Sequence, residues 1–257
     1  MRKWISFSHA GVYAFDAASL KKSWTRLHLG DCEPLPRDVD VLEAWVLFHN
    51  GEFEAAAEAG LNAGGDGITV ANKSACVYAS YLERAEKARL ELLLQVAARA
   101  EAQQTAHPAN ANASYWQAYA LGHYSHGISV AKALAQGVGS KIRTALEQTL
   151  LLSPQHADAH MALGVFHAEV IDKVGSLIGS LTYGARKDTG LAHFREALRL
   201  NPHSAIVMTH YAQGLLMLEG EKKMKEANRL YELAAQCEAA DAMERLGVEM
   251  ARIELRD

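Results

Sequence analysis

The sequence predicts an all-α chain built as an α-solenoid, in which stacked antiparallel helical hairpins carry enlarged inserts between their paired helices. Three observations predict it. Helix-ending prolines recur: 46 residues separate Pro108 from Pro154, and 48 separate Pro154 from Pro202. A Leu-Gly step recurs in the helices that follow Pro108 and Pro154, as Leu121-Gly122 and Leu163-Gly164, and again at Leu246-Gly247 near the end of the chain. Alanine is abundant, β-branched runs are rare and only five prolines occur, which favours helix nearly everywhere.

Residues 11–29 read as a first helix, with Leu20, Trp24 and Leu27 on one face and Lys21, Lys22 and Arg26 off it. Pro34 and Pro36 break it, because proline cannot continue a helix. A second helix is expected over Val39–His49, and Gly51-Glu52-Phe53-Glu54-Ala55-Ala56 follows. There the glycine relieves a turn, the aromatic plugs a hairpin and the alanine permits close packing. Residues 39–61 are thus a degenerate first repeat within an N-terminal segment, 1–70. Leu61–Val70, with Gly64, Gly65 and Gly67, is read as a linker; no strand precedes its glycines and no Lys-Ser/Thr follows, so it lacks the context of a phosphate loop.

A repeat domain is expected over 71–257. Residues 71–106 form one hairpin turning near Arg84–Lys87, with Tyr78, Tyr81, Leu82, Leu90, Leu93, Leu94 and Ala97 in helical period. The next hairpin opens with Tyr115-Trp116-Gln117-Ala118-Tyr119-Ala120. The repeat period exceeds the ~34 residues of a plain helical-hairpin repeat, and the excess falls in two apolar, glycine-punctuated inserts at 128–140 and 172–189. A further repeat starts at Ala205, with its second helix at Lys225–Cys237. Asp241–Leu255 is a charged capping helix of the kind that solenoid ends require.

From about residue 110 to 250 the chain resembles a diverged tetratricopeptide repeat (TPR) protein. The residues that carry the likeness are Trp116, Tyr119, Ala120, Leu146, Pro154, Leu163-Gly164, His167, Phe194, Ala197 and Leu200-Asn201-Pro202. Within that class it resembles two families with stretched hairpins, the regulator of microtubule dynamics family and the T component of bacterial TRAP-associated transporter systems. The resemblance implies a surface that presents rather than a site that reacts.

Charge and motifs narrow the function further. The net charge is −4, from 26 basic and 30 acidic residues with both signs interspersed, so the sequence offers no footprint for nucleic acid. No apolar run approaches the ~18 residues of a membrane span. Arg2-Lys3 precede apolar residues, but Ser6, Ser8, His9 and Gly11 interrupt them, so the segment makes a poor export signal and a cytoplasmic location is expected, with the periplasm left open. Cys32, Cys76 and Cys237 are odd in number and far apart, and read as reduced thiols. His156/His160 and His123/His126 have metal-ligand spacing on a helix, yet several of these positions are where repeats pack aromatic rings, so packed histidines are the expectation. There is no H-E-x-x-H and no G-x-S-x-G. Neither a metal, a cofactor nor an enzymatic activity is expected.

The predicted partner-binding groove is lined by Gln117, Leu121 and Tyr124, then Met161, Val165 and Glu169, then Thr209, Gln213 and Met217. It is mainly apolar, which suits a protein segment or amphipathic helix. The function expected is a non-enzymatic scaffold binding a partner protein segment, whose identity is open. The alternative is a small-molecule or lipid-binding module, accessory to a transporter, with an apolar cavity closed by the inserts at 128–140 and 172–189. A homo-oligomer is left open. The insert Ser176–Tyr183 discriminates: exposed, it is a patch that needs a partner; folded inward, it lines a pocket.

Overall fold

A computed structural model describes residues 3–256, so Met1 and Arg2, at the head of the stretch examined for an export signal, lie outside the described residues. Among the described residues every regular element is helical. The chain divides into two compact units. Of the described residues, the first comprises 3–28, 33–152 and 241–243; the second comprises 29–32, 153–240 and 244–256. Val70, where the sequence suggested a division, falls inside a helix.

In the first unit, α1 (Ala17–Leu27), α2 (Val39–His49), α3 (Phe53–Ala63), α4 (Gly67–Tyr81), α5 (Glu86–Ala106) and α6 (Ala111–His126) run in sequence. They are followed by the short α7 (Val130–Ala135) and by α8 (Val138–Leu152). Neighbours from α2 to α6 pack as successive hairpins, and α6 pairs with α8 across α7. Caps fix the starts. The Asp16 side chain accepts from Ser19 N–H while Ser19 reaches back to Asp16 N–H, a capping box. Asp38 caps α2 and Asn110 caps α6. Gly51 takes φ 86°, the turn conformation expected of it, and Phe53 is buried edge-on against Phe48 at 5.5 Å.

The linker expected over Leu61–Val70 shrinks to residues 64–66, because α3 runs on to Ala63 and α4 starts at Gly67. The glycines pack as well as break. A Cβ on Gly60 would meet the Gly67 carbonyl oxygen at 2.5 Å, and one on Gly67 would meet the Gly60 oxygen at 2.6 Å. Both glycines let α3 and α4 touch backbone to backbone. Helix α4 is buried on every side from Thr69 to Ala79. Its Lys73 is 3% exposed, with the ammonium 5.1 to 5.9 Å from the Phe48, Trp45 and Trp116 ring centres.

In the second unit, α9 (Ala157–Val174) pairs with α11 (Lys187–Leu200), with α10 (Ser176–Tyr183) between them in sequence. Next, α12 (Ala205–Glu219) pairs with α13 (Met224–Gln236) after a single 3-10 turn, and α14 (Ala242–Glu254) closes the chain. Phe194, Leu191, Met208, Tyr211, Leu215, Leu230 and Val248 form one buried cluster. Phe194 is its centre: it is fully buried and stacked on Tyr211 at 5.4 Å. Two glycines make room for that ring. A Cβ on Gly164 would lie 2.8 Å from the Phe194 ring and one on Gly214 2.2 Å from it, so the ring is seated between two bare backbones. Both inserts lie inside hairpins, as their spacing suggested, and each carries a short helix, α7 or α10.

Candidate interaction surface

The nine predicted groove residues do not form one open face. Leu121, Tyr124, Met161 and Thr209 are buried, Thr209 completely. Met161 packs with Ala197 and Val207. The physical reason is that α9 is covered by both α11 and α12, so helix positions assigned to a groove are filled by neighbouring helices. Gln117, Val165, Glu169 and Gln213 remain partly exposed and Met217 is exposed. Glu169 is held by Lys173 at 3.0 Å.

The most exposed apolar surface of the second unit lies on α10. Leu177, Ile178 and Leu181 are 75%, 56% and 80% exposed. Spaced i, i+1 and i+4, they share one face of the helix. The opposite face is small: Gly179 is buried, and a Cβ there would meet Val170 Cγ1 at 3.2 Å and Ala185 Cβ at 3.6 Å. Helix α10 thus inverts the usual pattern, seating a glycine inward and turning large aliphatic side chains out. Gly175 (φ 80°) and Gly184 (φ 63°) bracket it, both in conformations that cost a side chain dearly. Gly184 N–H and Ala185 N–H return to the Ser180 and Gly179 carbonyls at 3.0 Å each, and Arg186 N–H donates to His167 Nδ1 on α9 at 3.1 Å. The nearby basic side chains are already engaged, Lys173 with Glu169 and Lys187 with Glu219 at 2.7 Å. In the other insert, Val130 and Leu134 of α7 are about half exposed, at 48% and 47%.

Some histidines find partners within their own helix and others far away in sequence. His156 is the N-cap of α9, its Nδ1 accepting Ala159 N–H at 3.0 Å. His123 stacks on Tyr119 with centres 4.3 Å apart. His49 joins two partners: its Nε2 lies 3.2 Å from His28 Nε2, and its Nδ1 lies 2.6 Å from Asp241 Oδ2, all three residues being buried. His160, His193 and His167 form a second chain in the other unit. Sequence spacing missed both. Among the described residues no group of three or more His, Cys, Asp or Glu is placed to hold a metal ion. No cysteine forms a disulfide, and burial raises the thiols of Cys32 and Cys76 above the ordinary range, which favours their protonated form. Among the described residues no helix is long and apolar enough to cross a membrane.

No protein-family model matches the chain, and no curated protein matches its sequence. Among solved structures it is similar to a thermophilic TPR protein from Thermus thermophilus, with a TM-score of 0.58 and 15% sequence identity over 83% of this chain and 97% of that one. At that identity the likeness speaks for the fold alone, and the fold it shows is the TPR-like stack of helical hairpins.

Proposed function

We propose that the chain is a non-enzymatic TPR-type scaffold that docks a partner protein segment, and that helix α10 of the second unit carries much of that contact. The observation behind the proposal is the outward ridge of Leu177, Ile178 and Leu181. Burying three such side chains fully is worth on the order of 5 kcal/mol before the cost of association is subtracted, enough to anchor a partner but idle in solution. The accessible groove positions Val165, Glu169, Gln213 and Met217 supply further contacts in this reading, and Gln117 of the first unit is a separate contact point. The cavity-and-lid alternative needs the insert's apolar side chains turned inward, and those of α10 point to solvent.

The test is affinity capture from native cells with the wild-type chain and a Leu177→Glu/Leu181→Glu variant. A protein held stoichiometrically by the wild type and lost by the variant supports the reading. Identical captures by the two chains would refute the role of α10.

A further inference from the structure

A chain of three histidines in the second unit ends on the backbone that leaves α10. His160 Nε2 lies 3.1 Å from the Pro154 carbonyl oxygen. That oxygen only accepts, so Nε2 carries a proton. In the neutral ring Nδ1 is then an acceptor, and His193 Nδ1, 2.9 Å away, must donate to it. His193 stacks on His167 with centres 6.0 Å apart and planes 12° from parallel. His167 Nδ1 accepts the Arg186 N–H. Of these contacts, the one from Arg186 N–H lasts only while His167 Nδ1 is unprotonated.

We propose that this chain is a proton-sensitive latch on α10. A proton taken up at His167 Nδ1 removes the acceptor of Arg186 N–H, sets two N–H groups against each other and frees the C-terminal end of the ridge. Its biological meaning rests on the reading of α10 as a docking surface; the latch itself is a property of the isolated chain.

The surroundings favour the neutral state. Burial first, and the charges of His160 and His167 second, hold His193 down to about 4. On α11, Glu196 feels His160 but is engaged by Arg199 at 2.6 Å. On α9, Glu169 is held by Lys173, and on α12, which also carries His210, Glu219 is shared by Lys187 and Lys222. Leu218 of α12 and the Cβ of His167 both lie beside Gly190 of α11. A proton on His167 Nδ1 breaks the Arg186 contact, and an unprotonated Nδ1 keeps it.

Amide hydrogen exchange at Arg186, corrected for intrinsic rates, tests this in the full chain without a partner. Protection should fall roughly five- to tenfold between about pH 8 and about pH 5, the loss of one hydrogen bond. In His167→Asn, whose Oδ1 takes the place of Nδ1 and does not titrate in this range, protection should stay flat. Imidazole nitrogen chemical shifts of the wild type, which need no variant, should show His167 Nδ1 unprotonated at about pH 8 and protonated at about pH 5. A pH-independent Arg186 amide, an equal fall in His167→Asn, or a protonated Nδ1 at the higher pH would each overturn the latch. Partner capture that depends on Leu181 yet ignores pH would remove the latch and leave the docking surface. A working latch with no partner at Leu181 would do the reverse.

Discussion

Gly214→Ala and Gly122→Ala should change stability in opposite directions although both place alanine in a helix of the repeat. In a helix interior the exchange is worth up to ~1 kcal/mol in favour of alanine. At Gly122 nothing lies within 4 Å of the added Cβ, so the gain should appear nearly undiminished, at about 0.5–1 kcal/mol. At Gly214 the Cβ would sit 2.2 Å from Phe194 Cε2 and 2.5 Å from Cζ, against 3.4 Å for ordinary contact. The ring must retreat by more than an ångström, yet Gly164 closes its other side, Tyr211 stacks on it and none of it is exposed. Overpacking of this severity costs about 3 kcal/mol or more, so the net loss should be about 2–3 kcal/mol. Urea unfolding of the two variants and the wild type measures both signs. Phe194→Leu should couple favourably with Gly214→Ala by at least about 1 kcal/mol, since the smaller side chain makes room for the methyl group. A Gly214→Ala variant within about 0.5 kcal/mol of wild type would refute the seating of Phe194 between bare backbones.

Asp241→Ala should cost about 3 kcal/mol, because it strips the 2.6 Å partner from a fully buried His49 and leaves His28 and His49 to satisfy each other; urea unfolding checks it. Acid should destabilise the chain through His193. Its folded pKa, about 4, lies below the ordinary 6.5, so the unfolded state binds the proton more tightly; the stability is present above about 6.5 and is lost as pH falls from there toward 4. Because the ring is partly exposed, screening trims the effect to about 1–2 kcal/mol, and His193→Gln should flatten that part of a urea-stability profile across this pH range. Leu177→Ser and Leu181→Ser should leave stability within about 0.5 kcal/mol of wild type in the same assay, since those side chains contribute little to the folded core.

Much of the fold was legible because its signals are local. Val39–His49 is bounded by an acidic N-cap and by the turn at Gly51, and the helix occupies those residues. The spacing of Pro108, Pro154 and Pro202 located the hairpins, and its excess over a plain repeat located the inserts between α6 and α8 and between α9 and α11. What failed was non-local. A glycine that lets two helices touch, as Gly60 and Gly67 do, reads like one that ends a helix. Whether the apolar residues of α10 face out or in stayed open because hydrophobic pattern carries no sign of which face is inward, and Gly179 takes the inward face. Helical position placed Thr209 and Met161 in a groove, whereas α9 and α12 fill each other's surfaces. Packed histidines were expected, but not their partners: His160 finds His193 33 residues away and His49 finds Asp241 192 residues away. No local pattern encodes such pairs.

A photo-crosslinking side chain placed at Leu181, activated in native cells, tests the central claim most directly. The account predicts one discrete adduct between this chain and a second protein, abolished by Leu177→Glu and absent when the side chain sits instead at the exposed Leu233 of α13. No adduct at position 181, or the same adducts from both positions, would contradict the assignment of α10 as the docking surface.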